Sequence, residues 1–417
     1  MRTDDEHVAD RLRWLDDEPA GPPRVDLPGA IQEARRRRRN RRVAAAGAVA
    51  LGVLAVAALP VALNGDGRAA PAPAASPNPS VRSPEPRPAG AWQGVCRAEL
   101  LPVPGDSRAT VVAGDPDGRW LVGRRAPHGQ GRMDFGQLIW EGDRVREVEL
   151  PGSMQQLRDV NRGGLAVGSS QTDGSGSRAW AVHDGEVVGL PMVTSGGATA
   201  VNDAGRIVGY REVAPGKPWL QRPVAWDSYR SQPVDLPLPG QRWDGTAVDV
   251  DSDGTVLAAM SDGSPDRPTR AVVWRPGAAR PEVLPLPTVP GGKATTFFPA
   301  SVAGGWVTGT AERDATVVSR DGLPRYAVRI DLRTGRAEVL PSVRWVGVSN
   351  GQGWLAGTLS GDVPGVIIGA RSVKLPVPDG WRGDRQGSVT SFSDDGRVLG
   401  GKLESDDQVR PVRWTCR

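Results

Sequence analysis

A chain of 417 residues is long enough for two or three domains, or for one large β-structure. Its 54 glycines and 38 prolines, about a fifth of the chain and twice ordinary usage, exclude a helical bundle in favour of short strands joined by turns. A net charge of only +4, from 52 basic against 48 acidic side chains, excludes an obligate nucleic-acid binder, and two cysteines with three histidines leave no stock for a zinc or iron–sulfur centre.

Residues 1–42 read as a largely disordered tail. The first 18 carry seven acids, and only Val8, Leu12 and Leu15 fall at helical spacing, too little apolar surface to fold alone. A second helical pattern, Leu27 to Arg42, places Ile31 and Ala34 on one face and ends in seven arginines within eight residues. Residues 43–63 follow as 21 positions without a charge, enough at 1.5 Å per residue to cross a hydrocarbon core of roughly 30 Å. A cleaved signal peptide would have a shorter apolar run close to the chain start, so 43–63 is expected to be an uncleaved transmembrane signal anchor. The arginines abutting it are a topological signal and a contact for anionic lipid, not a nucleic-acid patch. They predict a single-pass plasma-membrane protein with a cytoplasmic N-terminus and an extracellular C-terminal domain. Residues 64–91, with seven prolines and seven alanines, form an extended stalk without a core.

Residues 92–417 repeat with a period near 47 residues. One half of the unit is two short strands around an Asx-Gly turn, clearest in Ala200 to Gly209 and recurring at Gly114, Val160, Val250, Ser301, Val348 and Phe392. The other half is an apolar strand ending in Trp and, ten positions later, a Leu-Pro: Trp140 and Leu150, Trp180 and Leu190, Trp226 and Leu236, Trp274 and Leu284. This constant spacing predicts one fixed hairpin. Ile330 replaces Trp before Leu340, and the sixth copy, ending at Leu375, has no Trp. Two hairpins per unit and seven units predict an all-β, seven-bladed propeller. The seventh unit ends after Trp414 without its outer strand, and 96–102 supplies a spare one, so 94–102 is expected to pair with 409–417 and close the ring. Aligning Cys416 with Val182, and Cys96 with Gly185 across a tight turn, predicts a Cys96–Cys416 disulfide suited to an oxidising exterior.

The frame hydrophobic-x-Asn-x-x-Gly-x-Val-Val-Gly, followed by Arg178-Ala-Trp, Pro223-Val-Ala-Trp226 or Arg270-Ala-Val-Val-Trp274, resembles the extracellular HAF-type repeat, although the His and Phe of that repeat are missing. The resemblance covers 110–417 and implies a propeller without implying an activity. The arginine-rich, Ala-Pro-linked, single-span layout resembles envelope proteins of high-GC Gram-positive bacteria.

Asp249, Asp251 and Asp253 before Gly254 match the first half of a calcium loop, but Leu257 and Ala258 stand where a further acid is needed. The same turn recurs with Asn161, Asn202 or Ser393 at the position of Asp251, so Asx capping explains every copy. His128 and His183, the histidines of the outer domain, lie in no nucleophile motif. No catalytic residue, metal or cofactor is expected. Trp219, Arg242, Trp243, Arg344, Trp345, Trp381 and Arg382 fall in connections sharing one end of the ring, where aromatic and guanidinium planes suit sugars, acidic glycopolymers or a peptide. Their other reading is packing between blades, as for Trp140, Trp180, Trp226, Trp274 and Trp414. The resulting expectation is a non-enzymatic binding module for a cell-envelope glycan, glycopolymer or protein partner. Its alternatives are a sensor signalling through 1–42 and an envelope hydrolase or lyase.

Overall fold

The computed structural model describes residues 92–417 except 107, 127–134, 173–175, 193–194, 214–219, 265–267, 314–323, 382–385 and 406–407. The expected tail, transmembrane anchor and stalk all lie outside the described residues. No helix among the described residues is long and apolar enough to cross a membrane.

The described residues form seven four-stranded antiparallel sheets and one small ribbon, Thr288–Val289 with Gly292–Lys293. Each sheet is a blade whose first strand is innermost: Ala109–Gly114, Ser153–Val160, Gly196–Val201, Asp244–Val250, Thr296–Ala303, Val343–Ser349 and Gln386–Phe392 for blades 1 to 7. Blades 1 to 6 are meanders of consecutive strands, whereas blade 7 takes its outer strand, Cys96–Leu100, from the other end of the domain. The protein is a seven-bladed β-propeller, and the Cys96–Cys416 disulfide crosses the pair that closes it. The alignment used to reach that disulfide is corrected by the register. Val182 pairs with Val187, with Asp184 and Gly185 as the turn, while Cys96 lies directly opposite Cys416.

The fixed hairpin is also corrected. In blade 2 the two-residue turn Asp184-Gly185 has positive φ at both positions, the geometry that joins adjacent antiparallel strands most tightly. Blades 3 and 4 run through Pro-containing segments at 227–233 and 275–281, which cannot make that turn. The Trp residues also sit at different levels. Trp226 pairs with Ile207, but at the equivalent level of blade 2 Val182 pairs with Ala166, and Trp180 lies two positions away opposite Gly168.

The repeat Trp and Leu-Pro form one inter-blade device. Trp140, Trp226, Trp274 and Trp414 donate from Nε1 to the carbonyls of Pro102, Pro191, Pro237 and Pro376, each in the preceding blade, at 2.8–2.9 Å. Displaced Trp180 reaches the same kind of carbonyl through a relay: its Nε1 donates to Ser170 Oγ, which donates to Pro151. Apolar clusters are shared across the junctions in the same way. Val122, Ile139 and Leu150 of blade 1 pack with Leu157, Val160 and Val182 of blade 2.

Candidate functional site

Every inner strand carries a register shift at the same level, between Val111 and Ala113, Leu157 and Asp159, Ala198 and Ala200, Ala247 and Asp249, Pro299 and Ser301, Val346 and Val348, and Val389 and Ser391. A bulge adds one residue and sharpens the local twist. Here it divides the central channel into an end at the Asx turns and an end at the strand starts.

At the turn end lies a cavity of about 130 Å³, lined by Asp159, Asp203, Asp249, Asp251 and Asp394 together with Asn202 and Asn350. The Asx side chains are occupied by the fold. Asn202 Oδ1 accepts from Arg206 N within its own turn, while its Nδ2 donates to Asp251 O of the next blade. Asn161 and Asn350 donate to Asn202 O and Ser393 O in the same manner. Asp159 accepts from Val160 N and, across the junction, from Val201 N; Asp249 repeats this with Val250 N and Val302 N at 2.8 and 2.7 Å. Burial raises the Asp249 carboxyl to about 7 against these two hydrogen bonds. Burial, with the Asp249 charge adding to it, pushes Asp159 well above the ordinary range. Asp115, Asp251 and Asp394 are also raised, chiefly by burial.

Among the described residues Arg162 answers this acidic rim. The Arg162 guanidinium contacts Asp117 at 2.8 Å, Asp203 at 2.6 Å and Asp394 at 3.0 Å, tying blade 2 to blades 1, 3 and 7. Burial opposes its charge, but the Asp117 hydrogen bond and the three carboxylates outweigh that and raise its pKa. The calcium half-motif does not converge on a point. Asp249 faces Val302 N, Asp251 takes Ser252 N and Gly305 N, and Asp253 takes Thr255 N. Among the described residues no group of three His, Cys, Asp or Glu side chains is placed to hold a metal.

The aromatic candidates sit at the strand-start end. Trp345, on the inner strand of blade 6, is 43% exposed, with the Arg325 guanidinium 5.1 Å above its ring. Trp243 is half-buried against the blade 4 core and gives its carbonyl to Arg222, and Trp381 packs on the blade 7 core. Arg242 is exposed, and Arg344 pairs with Asp362 at 2.8 Å. Trp219 and Arg382 lie outside the described residues, as does His128, while His183 stacks on Tyr229 at 5.7 Å.

Sequence reasoning missed Phe298. It lies three residues before Ser301, as Trp345 lies three before Val348, and each is opposite a threonine, Thr310 and Thr358. Phe298 is 44% exposed, so blades 5 and 6 present two large aromatic side chains at one level. Registering the inner strands on their bulges would have exposed this pair, but a bulge leaves no residue signature in the sequence.

No family model and no curated protein matches the chain. Solved structures of similar fold include an oligogalacturonate lyase in complex with manganese, at 14% identity over 77% of this chain and 90% of that one, with a TM-score of 0.49. The β-propeller domain of the Trilobed protease from Pyrococcus furiosus is similar at 11% identity over 74% and 93%, with a TM-score of 0.48. TolB from Acinetobacter baumannii is similar at 12% over 76% and 68%, with a TM-score of 0.43. These neighbours mix enzymes with non-enzymes, and at this likeness no activity passes from them to this chain.

Proposed function

We propose that the propeller is a non-enzymatic binding module displayed outside the cell, held by an anchor at 43–63 and a stalk at 64–91, with residues 1–42 in the cytoplasm. Its ligand is a component of the cell envelope. The observation carrying this reading is the exposure of Trp345 and Phe298 at one level of adjacent blades of the inner ring, since neighbouring exposed aromatic side chains make the kind of apolar surface that marks an interaction site. Arg325 and Arg344 beside Trp345 add guanidinium groups suited to polar or acidic ligands. A binding screen of cell-wall fragments and envelope glycans on the full-length protein tests it. Trp345→Ala and Phe298→Ala should each weaken capture at least tenfold with unchanged thermal stability. Capture that survives both substitutions sinks the reading.

A second reading, an envelope hydrolase or lyase, draws on Asp159 and Asp249, two carboxyls of raised pKa at one cavity. Against it, all four of their oxygens already accept backbone N–H groups. Turnover of an envelope glycan that Asp249→Asn abolishes would establish this reading in place of the first.

A further inference from the structure

The Asx turns of the seven blades meet at one end of the channel, and turn is joined to turn around it. Asp251 of blade 4 takes Asn202 Nδ2 of blade 3 on its carbonyl and Gly305 N of blade 5 on its carboxylate. Gly304 of blade 5 lies so close to the Gly351 carbonyl of blade 6 that a Cβ would not fit between them. Gly351 N donates to Asp394 Oδ1 of blade 7, and Asp394 N donates to Pro116 O of blade 1 at 2.7 Å. From blade 3 round to blade 1 this collar is made of backbone groups and short side chains. The remaining arc, from blade 1 to blade 3, carries a charge. Arg162 of blade 2 donates from N and Nη1 to Asp203 of blade 3, at 3.0 and 2.6 Å, and from Nε to Asp117 of blade 1 at 2.8 Å. Its Nη2 passes blade 1 altogether and reaches Asp394 at 3.0 Å. Among the described residues this is the one ion pair that joins blades which are not neighbours.

Asp394 belongs to the blade assembled from both ends of the domain. Arg162 therefore holds the inner end of that blade, while the pairing of Cys96–Leu100 with Val409–Cys416 holds its outer end. The guanidinium is also outnumbered. Three carboxylates lie within 3.0 Å of it, and Asp159, Asp249 and Asp251 line the cavity beside two of them. Without its charge Asp117, Asp203 and Asp394 would face one another with no counter-ion, and like charges at such range repel. The Arg162 side chain is 40% exposed, so dissolved ions reach it and screen its bonds, which the backbone hydrogen bonds of the other arc do not feel.

We propose that Arg162 is a salt-labile clasp on the closing blade. With the clasp shut, blade 7 is pinned at the axis to blades 1, 2 and 3 and the turn end of the channel is closed over its cavity. With the clasp screened, the inner hairpin of blade 7 parts from blade 1 while the outer strand pair and its disulfide stay joined, so the opening is local and the ring does not unfold. The device is independent of what the propeller binds.

Hydrogen exchange of the full-length protein, read by mass spectrometry between about 0.05 and 1 M sodium chloride, tests the clasp. Amides of 386–404, the two inner strands of blade 7 and their turn, should exchange about tenfold faster at the upper concentration, while those of 244–261 in blade 4 keep their rates. Arg162→Gln should show the fast blade 7 rate at both concentrations. Arg162→Lys, which keeps the charge but not the planar fork, should restore part of the salt response. A blade 7 rate that ignores salt in the unsubstituted protein overturns the proposal, whatever the variants do. So does an Arg162→Gln protein that retains the native salt response, or one in which blades 4 and 7 speed up together, since Arg162 would then serve global stability alone.

Discussion

The unusual residues of this propeller are the carboxyls that seal its junctions. Asp249 uses both oxygens on backbone N–H groups, one of them in the next blade, yet burial places its pKa near 7. A group that holds its proton more tightly when folded favours the folded state below the unfolded value of 3.8, and this contribution fades as pH rises through 7. The full span is worth about 4 kcal/mol, so native stability is expected to fall between pH 5 and pH 8. Asp249→Asn removes the charge and one acceptor. At pH 5 the variant should be about 1 kcal/mol less stable than the native chain, and at pH 8 at least as stable. Thermal melts at the two pH values check this, and an equal loss at both would show that the carboxyl does not titrate in this range. Asp159, raised well above the ordinary range chiefly by burial, also feels the Asp249 charge, so ionising Asp249 makes the Asp159 proton harder to remove.

At the scale of strands, the repeat was legible because a few residue types recur at near-constant spacing. The Asx-Gly turns, Trp positions and Leu-Pro ends were all visible in sequence, but their purpose was not. The proline matters for its carbonyl, which the next blade's indole needs, as much as for ending a strand. Trp226→Phe should leave Pro191 O without its donor and cost about 2 kcal/mol, whereas Trp180→Phe should cost about half as much because Ser170 still donates to Pro151. Urea titrations of the two variants measure the difference, and a larger loss for Trp180→Phe would mean that packing volume outweighs the carbonyl. The turn glycines separate two requirements in the same way. Gly369, at φ 59° with open space around it, needs only the left-handed conformation, while at Gly353, φ 72°, an added Cβ would also collide with Trp306 of the preceding blade. Gly369→Ala should cost about 1 kcal/mol and Gly353→Ala at least twice that, and equal losses would remove the collision as a cause. What stayed hidden were the bulges, which are properties of pairing. For that reason Phe298 looked like an ordinary strand residue, while Trp243 and Trp381, prominent in sequence, turned out to be partly packed against blade cores.

Across the whole molecule the question is what keeps a ring shut when its last blade is built from both ends of the domain. Five register pairs join Cys96–Leu100 to Val409–Cys416, and two further bonds, Gln93 N to Arg417 O and Arg417 N to Val95 O, extend that zip. Trp92 adds an anchor by donating to Gly396 O and packing against Trp354. The disulfide sits at one end of this pair and links residues 320 apart, so in the chain-entropy treatment it restricts the unfolded chain by up to about 6 kcal/mol. Two effects are therefore separable. If the strand pair alone closes the ring, Cys96→Ser with Cys416→Ser should leave the native fold and its cooperativity intact while lowering stability by 2–5 kcal/mol, since the lost term belongs to the unfolded state. If the disulfide itself holds the strand in place, the double variant should lose the outer strand of blade 7 first, with protease cleavage near Cys96 well below the main unfolding transition. The hydrogen-bonded zip and the Trp92 anchor argue for the first outcome. Thermal unfolding read together with limited proteolysis decides it, and early cleavage in the variant would reverse the assignment.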